Sequence, residues 1–124
     1  MVSKYHSKKV SAGGEAFDSR KEYRRWCELL LLQRAGQISD LRRQVEFELI
    51  PAQREPDTVG TRGGIKRGKL IEQKCSYIAD FVYTENGQTV VEDVKGYKQG
   101  TAYAVFSIKR KLLLFTRGIR IREV

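Results

Sequence analysis

Apolar residues recur at helical spacing early in the chain. In FDSRKEYRRWCELLLLQRAG, residues 17–36, Tyr23, Trp26, Cys27, Leu30 and Leu31 return every three or four places, the stripe of an amphipathic helix. Asp18 or Ser19 supplies the N-cap, Glu22 completes an S-x-x-E capping box from Ser19, and Gly36 stops the helix. The period then changes to two. QVEFELI, residues 44–50, sets Val45, Phe47 and Leu49 against Glu46 and Glu48, which predicts a strand with one wet face ended by Pro51.

Residues 52–68, AQREPDTVGTRGGIKRG, carry Gly and charge without usable periodicity and are expected as a long basic loop. CSYIADFVY, residues 75–83, predicts a second strand, Asn86-Gly87 a hairpin turn, and QTVVEDVKGY, residues 88–97, an antiparallel third. Gly100 and Thr101 open a second helix, AYAVFSIKRKLLLFTR, stopped by Gly118, and IRIREV closes the chain as a short strand. The expected order is helix, three strands in a meander, helix, strand: an α/β or α+β fold with a mixed central sheet flanked by helices. Residues 1–14 read as a basic flexible arm ahead of a single domain, 15–124.

Charge adds a partner class. Twenty-four Lys and Arg against 15 Asp and Glu leave a net +9, which favours a polyanion, nucleic acid ahead of a membrane surface. The basic residues cluster: Lys98, Lys109, Arg110, Lys111, Arg117, Arg120 and Arg122 face Glu123 alone after residue 97, and Lys4, Lys8 and Lys9 have no acid near them. No signal-peptide pattern and no membrane-length apolar run is found, so a soluble intracellular protein is expected. Cys27 and Cys75 lack metal-ligand spacing and read as buried thiols. His6, the single histidine, lies in a polar segment, so any catalysis must use other groups.

One apolar strand is unusually rich in charge. VVEDVKGY carries Glu92, Asp93 and Lys95 within four positions. Residues two apart on a strand share a face, so Asp93 and Lys95 project together while Glu92 and Val94 point the other way. Asp80 interrupts YIADFVY, and the Asn86-Gly87 turn folds that strand back beside Asp93. Two carboxylates on adjacent strands repel unless a cation lies between them, and Mg²⁺ is the hard, oxygen-seeking ion such a pair accepts. The plain alternative is a solvated cross-strand pair of Asp93 and Lys95.

Glu22, Asp80 and Asp93-Val94-Lys95, spaced over this element order, resemble the PD-(D/E)xK nuclease superfamily across residues 15–124. KYHSKK, FDSRKE, ELIPAQREP, YIADFVY and VVEDVKGY more narrowly resemble small phage-encoded members regarded as Holliday-junction resolvases or related endonucleases. Ala79 stands where that pattern usually has Pro. The resemblance implies a restriction-endonuclease-like core and Mg²⁺-dependent hydrolysis of DNA, with Mn²⁺ as substitute. It implies Asp80, Asp93 and the Val94 carbonyl as metal ligands, Glu22 as an outer or second-metal carboxylate, and Lys95 orienting the attacking water. The same resemblance implies a place near the metal for Gln44, which otherwise reads as a surface polar residue.

A resolvase reading further implies branched DNA as substrate, a twofold homodimer, and the cytoplasm of a phage-infected bacterial cell. Tyr5, Lys8 and Lys9 in the arm, Arg62, Lys66, Arg67 and Lys69 in the loop, and Lys109 and Lys111 on the second helix are the candidate DNA contacts. Lys109 and Lys111 read equally well as a solvated helix face. A nicking or restriction-like nuclease without junction preference, and a basic DNA-binding module that does not cut, are the competing expectations.

Overall fold

The computed structural model describes residues 10–12, 15–96 and 98–124. A short hairpin comes first: β1 (Val10–Ala12) pairs antiparallel with β2 (Glu15–Phe17). Helix α1 follows (Arg20–Arg34), and its start is fixed by Ser19, whose Oγ accepts the Glu22 N–H at 3.1 Å. The Glu22 carboxylate reaches back to the Asp18 N–H at 3.3 Å rather than to Ser19, so the box closes one residue earlier than expected. Gly36, at φ +77°, turns the chain out of the helix, a conformation that costs glycine no Cβ clash.

Four strands build the main sheet, in the order β10-β9-β8-β3: β3 (Ser39–Ile50), β8 (Cys75–Glu85), β9 (Gln88–Asp93) and β10 (Ile121–Glu123). β3, β8 and β9 are antiparallel, joined at the last hairpin by Asn86-Gly87 with both residues at positive φ. β10 runs parallel to β9 after the crossover through α2 (Gly100–Arg117), which Gly118 ends in the left-handed conformation. The sheet is therefore mixed. Leu29, Ile38, Phe81 and Tyr83 form a buried layer on the α1 side. Leu49, Tyr77, Ala79, Val82, Val91, Phe106 and Leu113 form the layer on the α2 side. Among the described residues no helix is long and apolar enough to cross a membrane.

Side-chain alternation reverses once in the middle of this sheet. Tyr77 and Phe81 are four apart, and a regular strand would put them on one face. Tyr77 instead meets Phe106 of α2, ring centroids 6.1 Å apart, while Phe81 stacks on Trp26 of α1 at 6.0 Å. β3 does the same. Val45 packs in the α2 layer, whereas the Arg43 guanidinium lies 3.9 Å from the Phe17 ring centroid and 5.6 Å from that of Trp26, on the α1 side. Val45 pairs with Ala79 and Arg43 with Phe81, so both reversals fall at the intervening Gln44 and Asp80. Gln44 takes up the irregularity at φ +51°.

Residues 52–68, expected as a loop, lie within a ribbon of two small antiparallel ladders. β4 (Gln53–Arg54) pairs with β7 (Leu70–Glu72), and β5 (Thr58–Val59) with β6 (Ile65–Lys66). Two or three residues per strand are too few to imprint a period on the sequence.

Candidate active site

The reversal at Gln44 and Asp80 aims both side chains into a cleft of about 380 Å³ between the sheet and the start of α2, lined also by Tyr77, Asp93, Lys95 and Lys109. Asp80 and Asp93 adjoin the Phe81–Glu92 register pair on β8 and β9, so they lie opposite one another, and both line the cleft. The second Asp80 oxygen accepts the Val94 N–H at 2.9 Å, which ties the acid on β8 to the end of β9. Gln44 Nε2 stands 3.5 Å from Asp80 Oδ1 and 3.4 Å from Glu22 Oε1, bridging the sheet acid to the helix acid.

Asp93 is buried and held on both oxygens. Lys95 Nζ pairs with Oδ1 at 3.0 Å, and the Tyr77 hydroxyl donates to Oδ2. The Lys95 ammonium also lies 3.7 Å from the Phe106 ring centroid, a cation–π contact that fixes it over α2. From the α1 side, Lys21 Nζ donates to the Lys95 carbonyl at 2.7 Å. β10 secures the same corner, because the Lys95 N–H bonds the Val124 carbonyl at 2.9 Å and the Val124 N–H bonds the Asp93 carbonyl at 3.0 Å.

Burial, and then the charge of Asp93, push the Asp80 carboxyl up to about 7, with Glu22 adding to the rise. Glu22 is itself raised, chiefly by burial, against the Asp18 N–H and Arg43, whose Nη2 is 3.4 Å from Oε1. Tyr77 is held protonated by burial and by Asp93. Either a proton or a hard cation relieves such a set of acids. Carboxylate oxygens retain lone pairs beyond the bonds already made, so the donor chemistry fits Mg²⁺ or Mn²⁺. Among the described residues no three or more His, Cys, Asp or Glu side chains close into a ready metal cage, so the fit rests on the two aspartates with backbone and solvent oxygen completing the shell.

Gln44, Asp80, Asp93, Lys95 and Lys109, singled out by sequence, thus line one cleft, and Glu22 stands behind it, joined through Gln44. Arg62, Lys66, Arg67 and Lys69 lie on the ribbon instead, and Lys111, exposed on α2, points away from Lys109 at helical spacing. Tyr5, Lys8, Lys9 and His6 fall outside the described residues. Glu92 has a different task. It is fully buried on the α1 side, gripped by Arg25 through Nε at 2.8 Å and Nη2 at 2.7 Å, and accepts a bond from the Tyr83 hydroxyl. Sequence reasoning missed Tyr77, Arg43 and Phe106. Each reads as ordinary strand or helix filling, and only the tertiary fold puts it against a charged site residue.

Residues 2–121 match the family described as a protein of unknown function (DUF1064). No curated protein and no solved structure gives a match.

Proposed function

We propose that this chain, which belongs to the DUF1064 family, is a divalent-metal-dependent DNA endonuclease with a restriction-endonuclease-like core. The observation that carries the reading is the facing pair Asp80 and Asp93, with Lys95 at 3.0 Å from the latter, in an open cleft on a chain of net charge +9. A purely structural pair would gain by losing one acid. Here two stand together, and at neutral pH and above, where Asp80 loses its proton, a bound cation offsets the repulsion that Lys95 leaves.

Mg²⁺, or Mn²⁺ in its place, would be held by Asp80, Asp93 and the Val94 carbonyl with Glu22 outside them, and supplies Lewis-acid activation for phosphodiester hydrolysis. The chain's own groups do the rest. Lys95, immobilised between Asp93 and the Phe106 ring, presents an ammonium that orients the attacking water and offsets charge on the phosphoryl oxygens as the P–O bond breaks. Tyr77 and the Val94 N–H hold the two aspartates so that little reorganisation accompanies reaction. Gln44 couples Glu22 to Asp80, and Lys109 at the rim offers a phosphate contact.

Branched DNA, in the setting of phage recombination, is the substrate this reading favours, because among the described residues no base-reading element accompanies the basic surface and preference must come from shape. Symmetric cutting of a four-way junction then requires a twofold dimer. The test is incubation with four-way junction, nicked duplex and linear duplex in Mg²⁺ and in EDTA. Paired nicks near the branch point, in Mg²⁺ only, are expected. Scattered nicks on every substrate would leave a general nuclease, and binding without cleavage a basic module of the same fold.

A further inference from the structure

The ribbon built from β4–β7 and β5–β6 plays no part in the cleft, yet its distal end has an unusual surface. Val59 and Ile65 are cross-strand partners, so their side chains share one face, and they are 76% and 79% exposed. Basic residues flank them along the chain. Residues 58–69 contain Arg62, Lys66, Arg67 and Lys69 and no acid, and among the described residues none of these four makes an ion pair.

The tip is well built for so short an element. The Gly60 N–H bonds the Gly64 carbonyl at 2.7 Å and the Gly63 N–H bonds the Gly60 carbonyl at 3.0 Å, placing Arg62 in the turn. Its base is pinned at Gly68. The Gly68 N–H donates to Asp57 Oδ1 at 2.7 Å, Arg54 Nη1 donates to the Gly68 carbonyl at 3.0 Å, and the Glu55 N–H bonds the Lys69 carbonyl at 2.8 Å. A Cβ at position 68 would sit 1.7 Å from the Glu55 carbonyl oxygen, so only glycine allows the two strands to cross here.

We infer that the ribbon of residues 53–72 is a wedge for the DNA minor groove, its Val59 and Ile65 side chains inserted at an open or unstacked base step between phosphates held by Arg62, Lys66 and Arg67. Charge complementarity selects nucleic acid as the occupant. Size argues the same way, because the apolar pair at the tip, even with the exposed Leu70 and Ile71 at the ribbon's base, is well below the roughly 800 Å² per partner of a stable protein interface, whereas groove wedges use one or two aliphatic side chains. A two-stranded ribbon fits a groove. The inference rests on the DNA reading above, and it adds what the cleft lacks, a device that recognises weakened stacking at a branch.

The test uses the full-length protein in EDTA, so that nothing is cut, with a four-way junction and a duplex bearing a mismatched step marked by 2-aminopurine. Val59→Thr with Ile65→Thr keeps β-branched shape and strand preference while adding hydroxyls. That variant is expected to lose the 2-aminopurine unstacking signal and about tenfold in affinity for the mismatched duplex, worth about 1.4 kcal/mol, with the salt dependence unchanged. Arg62→Ala with Lys66→Ala and Arg67→Ala should lower the log–log salt slope by about 2.7, from about 0.9 per phosphate contact. Wild-type unstacking by the threonine variant overturns the wedge. DNA binding unchanged in both variants overturns the ribbon as a DNA element and points to a protein partner. Loss of unstacking in the threonine variant of a protein that never cleaves DNA upholds the wedge and removes the nuclease reading alone. A wild-type protein that binds no DNA removes both.

Discussion

Replacing Asp80 by Asn separates stability from the proposed activity. The Asp80 carboxyl sits at about 7 in the fold, against an ordinary 3.8, through burial and the charge of Asp93. A carboxyl raised on folding contributes its stability fully below the unfolded value and loses it as pH rises through the folded one. Ionised Asp80 therefore costs the metal-free fold up to roughly 4 kcal/mol at about pH 8, at about 1.4 kcal/mol per decade. Partial solvent access brings the figure nearer 2 kcal/mol. Asp80→Asn removes the charge and keeps an oxygen for the Val94 N–H. Thermal unfolding in EDTA should show the variant melting about 8 °C above wild type at about pH 8, the gap closing towards about pH 4. Added Mg²⁺ should raise the wild-type melting temperature at the higher pH and leave the variant unmoved. A variant no more stable than wild type at high pH, or a gap independent of pH, would refute the electrostatic account of this site.

Three further outcomes follow from particular contacts. Arg25→Ala leaves the fully buried Glu92 with Arg122, 3.9 Å away, as its remaining cation and should cost about 3 kcal/mol, read as a lowered urea midpoint, with Arg25→Lys recovering only part because the two-pronged contact is lost. Lys95→Ala should lower turnover while metal affinity, measured by calorimetry, changes little; abolished metal binding would make Lys95 a structural partner of the acids. Gly68→Ala forces a Cβ onto the Glu55 backbone and should open the ribbon to limited proteolysis while the main sheet keeps its unfolding transition.

Local chemistry made much of this fold legible. Ser19, Gly36, Asn86-Gly87 and Gly118 each mark a terminus or turn because a cap or a positive φ demands that residue type. Alternation placed Glu92 on one face and Asp93 with Lys95 on the other. It failed where the strands are irregular. β3 begins at Ser39 rather than Gln44, and its first half escaped notice because Arg43 and Val45 face opposite helices across the break at Gln44. That break positions the cleft, so the least regular part of the sheet is also the part that gathers the acids. The ribbon escaped because its strands are two or three residues long and its base is held by the Gly68 N–H on the Asp57 carboxylate, a contact that carries no hydrophobic signature. The Tyr77–Asp93 and Arg25–Glu92 bonds join residues 16 and 67 positions apart, beyond any local pattern.

The most direct measurement compares wild type with Asp93→Asn on a labelled four-way junction, scoring cleavage in Mg²⁺ and binding in EDTA on the same preparations. Metal-dependent cleavage by wild type, its loss in the variant, and equal or tighter binding by the variant are the expected results, because a carboxylate repels phosphate when no cation covers it. Cleavage at the wild-type rate by Asp93→Asn, or cleavage by wild type undiminished in EDTA, would contradict the assignment of Asp80 and Asp93 as the metal-holding pair of a nuclease.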